Sequence, residues 1–195
     1  MILPPVIGIA GRKRHGKDSL GAHFVAQHGY VQRSFAGLLK RMALAIDPVV
    51  TFLLGPEGEA REVRLSEIID RHGWEVAKEI YPETRRILQR LGTDGGRMIL
   101  GEDVWVEAAK RERPAGEATV YTDVRFPNEV RTVRDMGGIV VRVVRDPAPP
   151  VEADLAKHVS ETALDHLYLP VVYNNGTLDD LAVHGNNVVL RELLA

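Results

Sequence analysis

The sequence predicts an α/β fold of three layers, in which a parallel sheet is flanked by helices on both faces. Runs rich in β-branched residues, such as 6–10 and 139–144, are almost entirely apolar, which is typical of strands buried inside a sheet. Segments with helical periodicity alternate with these runs, and loops containing glycine or proline separate the two. Strands that alternate with helices in this way favour a parallel sheet covered on both sides.

The first elements follow one another without long loops. The strand 6–10 leads through a glycine-containing loop into a predicted helix 16–28, and Gly29 is a typical helix stop. A short strand within 30–35 and a helix over 36–46 follow.

The segment 47–82 differs in character from the rest of the chain. An Asp-Pro pair at 47–48 ends the preceding helix, and 55–59 is acidic and rich in turn residues. Two helical patches, 65–72 and 75–80, come next. We therefore expect one domain over residues 1–195, with 47–82 as a small, mainly helical insertion on one edge.

The remaining elements continue the alternation of helices and strands. Pro82 suits the start of a helix, and a double glycine at 137–138 precedes the strand that the sequence predicts most strongly. The predicted elements are the helices 83–98, 103–112 and 127–136, the strands 119–122, 139–144 and 170–173, a loop at 146–150 and a helix from 178 onward.

The composition excludes several classes of protein. The chain has 195 residues, a formal net charge of −2 and no cysteine, which excludes disulfides and thiol catalysis and gives no general attraction to nucleic acid. Neither a run of about 18 apolar residues nor a basic, apolar leader is present. We expect a cytoplasmic protein that binds neither membranes nor nucleic acid.

The segment Gly11–Ser19 is the most informative motif. Its sequence matches G-x-x-x-x-G-K, the P-loop that cradles nucleotide phosphates, and it lies between a strand and a helix as that loop does. Gly11 and Gly16 let the backbone approach an anion, and Lys17 supplies a mobile positive charge. The nucleotide-binding residues expected here are Gly11, Lys13, Arg14, His15, Gly16, Lys17, Asp18 and Ser19, with Arg12 at the mouth of the loop. The alternative is a basic surface turn.

Asp18 stands where this loop usually has a serine or threonine that binds magnesium. Ser19 follows it and offers a hydroxyl oxygen to Mg²⁺, while Asp18 offers a carboxylate, directly or through water. The alternative for Asp18 is an acid in the first turn of a helix, where the helix dipole favours it.

A second polar cluster begins at the carboxyl end of the strand 119–122. Asp123, Arg125, Asn128 and Glu129 fall within seven residues, at the position where open α/β sheets bind ligands. An arginine binds phosphate bidentately, and the other side chains suit metal, sugar or base. The alternative is a polar helix N-terminus with Asp123 as its cap.

Other candidates are spread along the chain. Arg86 and Gln89 share a helix face, and Trp105 either packs in the core or stacks on a base. Asn174 and Asn175 either face adenine or cap the last helix. Arg145 lies at the base of a loop, 145–161, that we expect to close over phosphates.

These segments together resemble the deoxynucleoside monophosphate kinases of bacteriophages, in the P-loop nucleoside monophosphate kinase superfamily. The resemblance covers most of the chain in order, and Asp18 is part of it because that group carries G-K-D-[ST] in its loop. The matching segments are Gly16-Lys17-Asp18-Ser19, Ala36-Gly37 with Lys40, Arg86 with Leu91-Gly92-Thr93-Asp94, Asp103-Val104-Trp105-Val106, Asp123-Val124-Arg125 with Glu129, His158-Val159-Ser160-Glu161 and Asn174-Asn175-Gly176.

The resemblance implies a P-loop NTPase fold and transfer of the ATP γ-phosphoryl group to a deoxynucleoside monophosphate. It implies ATP and Mg²⁺ at the loop, with Ser19 and Asp18 toward the metal and Asn174 and Asn175 near adenine. It places Lys40, Arg86, Trp105, Arg125 and Glu129 at the acceptor site, where we also expect Gln89, Asp123 and Asn128. Because two polyanions repel each other, cations must converge on them, and the expected catalytic residues are Lys17, Arg12, Arg125 and Arg145. The sequence does not decide between a monomer and a homodimer. A phage-encoded enzyme would act in the host cytoplasm.

Three alternatives share the loop. Another small-molecule P-loop kinase, for example one acting on dephospho-coenzyme A or a sugar acid, would have the same fold. A non-catalytic nucleotide switch is disfavoured because the chain lacks an Asn-Lys-x-Asp motif, and a nucleic-acid motor because it is short and has no long apolar strand ending in Asp-Glu.

Overall fold

The structure, a computed structural model, describes residues 3–148 and 162–194. Most of the predicted closing loop 145–161, including its histidine at 158, lies outside the described residues. The strands are β1 Val6–Ala10, β2 Val31–Arg33, β3 Val49–Leu54, β4 Ala60–Arg64, β5 Thr119–Val124, β6 Ile139–Val144 and β7 Val171–Tyr173. The helices are α1 Lys17–His28, α2 Gly37–Ile46, α3 Leu65–Ile80, α4 Pro82–Gln89, the π-helix Arg90–Arg97, α5 Met98–Leu100, α6 Val104–Glu112, α7 Pro127–Asp135 and α8 Leu178–Leu194.

The chain divides into two compact units. The first comprises Met1–Phe35 and Ala109–Ala195, and the second comprises Ala36–Ala108. The predicted insertion 47–82 falls inside the second unit, which extends beyond it at both ends. That the whole chain acts as one domain stays a prediction.

The sheet of the first unit confirms the predicted parallel arrangement. Among the described residues it has five strands in the order β2-β5-β1-β6-β7, and every pairing is parallel. All residues of β1, the central strand, are buried. Because the strands run the same way, the carboxyl ends of β1, β5, β6 and β7 share one edge, where ligands of such sheets bind.

Helices cover both faces of this sheet. Ile7 and Ile9 of β1 belong to a buried cluster with Leu20 of α1 and Leu181 of α8. Gly8 points the other way, since a Cβ placed there would lie 3.2 Å from a methyl carbon of Val133 in α7. Alternate residues of one strand thus face different helix layers, as the pleat requires, and the three-layer prediction is confirmed for this unit.

The second unit corrects the prediction of a helical insertion. Strands β3 and β4 form an antiparallel hairpin, whose Val50 and Val63 join a separate buried cluster with Leu65 and Ile68 of α3. The predicted break between two helical patches is confirmed, because α3 is interrupted at Gly73, which has φ 70° and ψ 167°.

The predicted helix 83–98 is wrong in its second half. α4 ends at Gln89, and the chain continues as the π-helix, a wider helical turn. This stretch contains three glycines, and the indole N–H of Trp105 donates to the carbonyl of Gly92 at 2.9 Å. Helix-weakening residues and a donor from outside the turn together account for the departure from α-helical geometry.

No helix within the described ranges is both long enough and apolar enough to cross a membrane.

An ion pair at the edge of the sheet gives the first testable prediction. Arg33 donates to both carboxylate oxygens of Glu117, Nε to Oε1 at 2.5 Å and Nη2 to Oε2 at 3.0 Å, and this lowers the pKa of Glu117 below its usual value. A lowered folded-state pKa stabilises the protein at pH values above the unfolded-state pKa, and the contribution is lost as pH falls through the folded-state pKa. Glu117→Gln should lower the free energy of unfolding by about 1 kcal/mol at pH 7.

Urea unfolding at pH 7 and at about pH 3 tests this expectation. The difference between wild type and Glu117→Gln should shrink at the lower pH, where the wild-type carboxylate takes up its proton. A difference that stays constant with pH would show that the pair does not stabilise the fold through its charge.

Candidate active site

The loop between β1 and α1 needs its two glycines for both space and conformation. Gly11 has φ 141° and Gly16 has φ 100°, values that other residues rarely adopt. A Cβ at Gly11 would lie 2.5 Å from the carbonyl oxygen of Val143, and one at Gly16 would overlap the amide nitrogen of Asn174. The motif spacing therefore reflects a backbone packed tightly between β6 and the end of β7.

Positive charge converges where α1 begins. Lys17, the first residue of the helix, is only 8% exposed, and its Nζ donates to the carbonyl of Arg12 at 2.8 Å. Within the part of the chain that the structure describes, no side chain caps the N-cap residue of α1. Backbone N–H groups at a helix start carry partial positive charge, so this end of α1 suits an anion.

A cavity of about 530 Å³ lies beside the loop, within the first unit. Its wall combines three cationic side chains, two side chains with oxygen atoms in the first turn of α1, and a polar segment after β7. The lining residues are Arg14, Gly16, Lys17, Asp18, Ser19, Arg145, Asn174, Gly176, Thr177 and Leu178. Its size and the excess of positive side chains in its wall suit a small anionic ligand.

Asn174 and Asn175 bind backbone groups. The Asn174 amide nitrogen donates to the carbonyl of His15 at 2.8 Å, and the residue is 8% exposed. The Asn175 side-chain oxygen accepts the N–H of Asp146 at 2.9 Å. Both amides thus hold neighbouring loops, while Asn174 also contributes to the cavity wall.

The segment after β7 also caps the last helix. Thr177 and Asp180 exchange hydrogen bonds between side chain and backbone at 2.9 and 3.1 Å, which is a capping box for α8. The backbone N–H and the hydroxyl of Thr177 hold the pKa of Asp180 below its usual value. The residue that caps this helix is therefore Thr177, rather than Asn174 or Asn175.

Arg12 points to a partner that sequence reasoning missed. Its Nη2 lies 3.3 Å from one carboxylate oxygen of Asp165, and the other carboxylate oxygen lies 3.7 Å from Arg142. Arg12 does not line the cavity described above, and neither does the partly buried Lys13. A single aspartate in a polar turn gives no sequence signal for such a contact.

The two acidic side chains of the second cluster accept hydrogen bonds from protein groups. Asp123 accepts the hydroxyl of Ser34 at 2.6 Å and the N–H of Phe35 at 3.0 Å. Glu129, 3% exposed, accepts the backbone N–H groups of Arg125 and Phe126 at 2.6 and 3.0 Å. Asp123 therefore fixes the end of β2, and Glu129 caps the start of α7.

This cluster nevertheless lies at the predicted sheet edge. Val124 of β5 pairs with Ala10, the residue before Gly11, so Arg125 follows β5 at the level where the phosphate loop leaves β1. Arg125 is partly buried, and the neighbouring Asn128 accepts the N–H of Glu129 at 3.0 Å.

The other predicted residues belong to the second unit. Lys40 lies with its Nζ 5.6 Å from the ring centre of Trp74, and Arg86 lies 2.8 Å from a carboxylate oxygen of Glu83. Gln89 is partly buried, and Trp105 is 7% exposed under the π-helix. This burial agrees with the expectation that Trp105 packs in a core.

The sequence comparisons with known proteins name one kind of kinase. The sequence model of the family described as deoxynucleotide monophosphate kinase matches residues 57–184. A protein of Acanthamoeba polyphaga mimivirus, assigned by name as a deoxynucleotide monophosphate kinase, is 26% identical over 191 residues, covering 90% of this chain and 91% of that protein. The deoxynucleoside-5′-monophosphate kinase of Escherichia phage T5 is 28% identical over 123 residues, covering 58% of this chain and 48% of the phage protein. Among solved structures, dephospho-CoA kinase from Campylobacter jejuni aligns with a TM-score of 0.44 at 13% identity, over 97% of this chain and 98% of that chain.

Proposed function

The chain belongs to the deoxynucleotide monophosphate kinase family, and we propose that the cavity beside Gly11–Ser19 is its site for the phosphoryl donor, ATP, with Mg²⁺. The enzyme phosphorylates deoxynucleoside monophosphates, as its family and its named relatives indicate. The observation that supports this donor site is the composition of the cavity wall, in which Arg14, Lys17 and Arg145 lie together with the start of α1.

Asp18 and Ser19 are suitable ligands for Mg²⁺. Both are exposed in the first turn of α1 and both line the cavity, so one hydroxyl and one carboxylate oxygen are available to a hard cation. Magnesium typically takes one or two protein oxygens and completes its shell with water and substrate phosphates. A metal held by these residues would neutralise part of the charge on the nucleotide phosphates.

The protein's own task is to hold two anions close and to stabilise the moving group. Lys17 and Arg145 supply charge from two segments of the cavity wall, the loop and the end of β6. Phosphoryl transfer asks for positioning and electrostatic stabilisation rather than covalent chemistry from the protein. Arg12 acts in this scheme only after leaving Asp165.

Arg125 is our candidate for binding the acceptor phosphate. It follows β5 at the sheet edge, and its backbone is fixed by Glu129, so its guanidinium starts from a defined position. Asp123, Asn128 and Glu129 would then act by shaping this turn. The roles of Lys40, Arg86, Gln89 and Trp105 stay predictions, as do a homodimer and a cytoplasmic location.

An acceptor screen tests the function. Purified enzyme with ATP and Mg²⁺ should form ADP rapidly only when a deoxynucleoside monophosphate is added, with ribonucleotides, dephospho-coenzyme A and water as the comparison acceptors. Product analysis should show the deoxynucleoside diphosphate in equal amount to ADP. Stimulation by another acceptor alone would replace the substrate assignment, and ATP binding without turnover on any acceptor would support a nucleotide switch instead.

A further inference from the structure

His15 occupies an unusual position inside the phosphate loop. Its side chain turns inward and is 6% exposed, although its neighbours in the loop, Arg14 and Gly16, line the cavity. The ring Nδ1 accepts the backbone N–H of Arg145 at 3.2 Å, and the main-chain carbonyl accepts the Asn174 amide at 2.8 Å. The loop is thereby tied through one residue to the ends of both β6 and β7.

The direction of these bonds fixes the state of the imidazole. A backbone N–H only donates, so Nδ1 must offer a lone pair, and this assigns the proton of the neutral ring to Nε2. Asn175 plays a parallel part, because its side-chain oxygen accepts the next backbone N–H, that of Asp146, at 2.9 Å. Two successive amides at the end of β6 are therefore held by side chains from other segments.

Arg145 itself is exposed, yet it contributes to the cavity wall. A long side chain on an exposed turn loses conformational freedom when it binds a ligand, and a fixed backbone reduces the range of positions that it samples. The imidazole of His15 supplies that fixation from within the phosphate loop, so the loop and the backbone of Arg145 keep a constant separation.

We propose that His15 is a positioning residue, which holds Arg145 where its guanidinium reaches the phosphates of the bound nucleotide. The inference rests on the proposed nucleotide site, and it adds a role that the loop motif does not require. In the motif this position is unspecified. The chemistry needed is an acceptor atom at the reach of an imidazole Nδ1, which a shorter aliphatic residue lacks.

The test measures ATP binding without acceptor, by calorimetry in the presence of Mg²⁺, on the full chain. His15→Ala and Arg145→Ala should each weaken ATP binding, roughly tenfold for the loss of one well-placed contact. The double variant should bind as weakly as Arg145→Ala alone, because His15 acts through that side chain. His28→Ala, at the far end of α1, is the matched control and should bind like wild type.

His15→Asn provides the second variant, since its side-chain oxygen can take the place of Nδ1 as an acceptor. It should restore binding to within about threefold of wild type, and thermal unfolding should show that it folds even where the alanine variant does not. Unchanged affinity in His15→Ala, additive losses in the double variant, or an asparagine variant as weak as alanine would each overturn the proposal. A wild type that binds ATP but phosphorylates no deoxynucleotide would instead overturn the proposed function.

Discussion

Replacing Lys17 by methionine is expected to lower kcat about 10³-fold or more, because in the proposed site its ammonium group would neutralise charge on the transferred phosphoryl group. Methionine keeps the length and apolar volume of a side chain that is only 8% exposed. The fold should therefore survive, and the thermal midpoint should move by only a few degrees. Steady-state ADP formation with saturating ATP and deoxynucleotide measures the effect.

The control is the same substitution at Lys78, whose Nζ lies 2.6 Å from Glu75 on the surface of α3. Lys78→Met should keep kcat near the wild-type value. Comparable rates for Lys17→Met and wild type would mean that Gly11–Ser19 is not the site of phosphoryl transfer.

Replacing Gly11 by alanine should both destabilise the protein and abolish nucleotide binding. The new methyl group would meet the carbonyl oxygen of Val143 at 2.5 Å, a backbone atom fixed within β6, and φ 141° is unfavourable for any side chain. Strain and overpacking together should cost about 3–5 kcal/mol of unfolding free energy. Urea denaturation and ATP titration measure the two effects.

Gly29→Ala separates the two causes. Gly29 also has positive φ, at 70°, but no atom lies within 4 Å of the position that its Cβ would occupy. Conformational strain alone should cost about 1 kcal/mol there, with ATP binding unchanged. Equal destabilisation in the two variants would show that the contact with Val143 is unimportant.

The sheet of the first unit is readable from sequence because its central strands, β1 and β6, are largely apolar and are bounded by turn residues. The hairpin is not, because β4 is mostly charged, with Arg61, Glu62 and Arg64, and buries only Val63. Its partner β3 is apolar, but residues 52–54 are exposed, so hydrophobicity does not reveal the antiparallel pairing. Likewise the π-helix contacts Trp105, a residue beyond its own end, which no local pattern reveals.

In the candidate site, too, features set by residues close in sequence could be predicted, and contacts between distant segments could not. The spacing of Gly11, Gly16 and Lys17 identifies the phosphate loop because the chemistry depends on residues close in sequence. The contacts of Asn174 and Glu129 depend on which backbone groups the fold brings near them, so residue type alone suggested ligand binding where the structure shows backbone hydrogen bonds. Their ligand-binding roles stay predictions.

The central place of β1 has a consequence for local opening of the protein. Its amides pair with β5 on one side and β6 on the other, and all of its residues are buried. Amides in such a strand exchange with solvent only when the whole unit unfolds, whereas surface turns open at lower cost. In deuterium exchange Val6–Ala10 should be the slowest segment. The phosphate loop begins directly after this strand, so it is attached to the part of the unit that unfolds last.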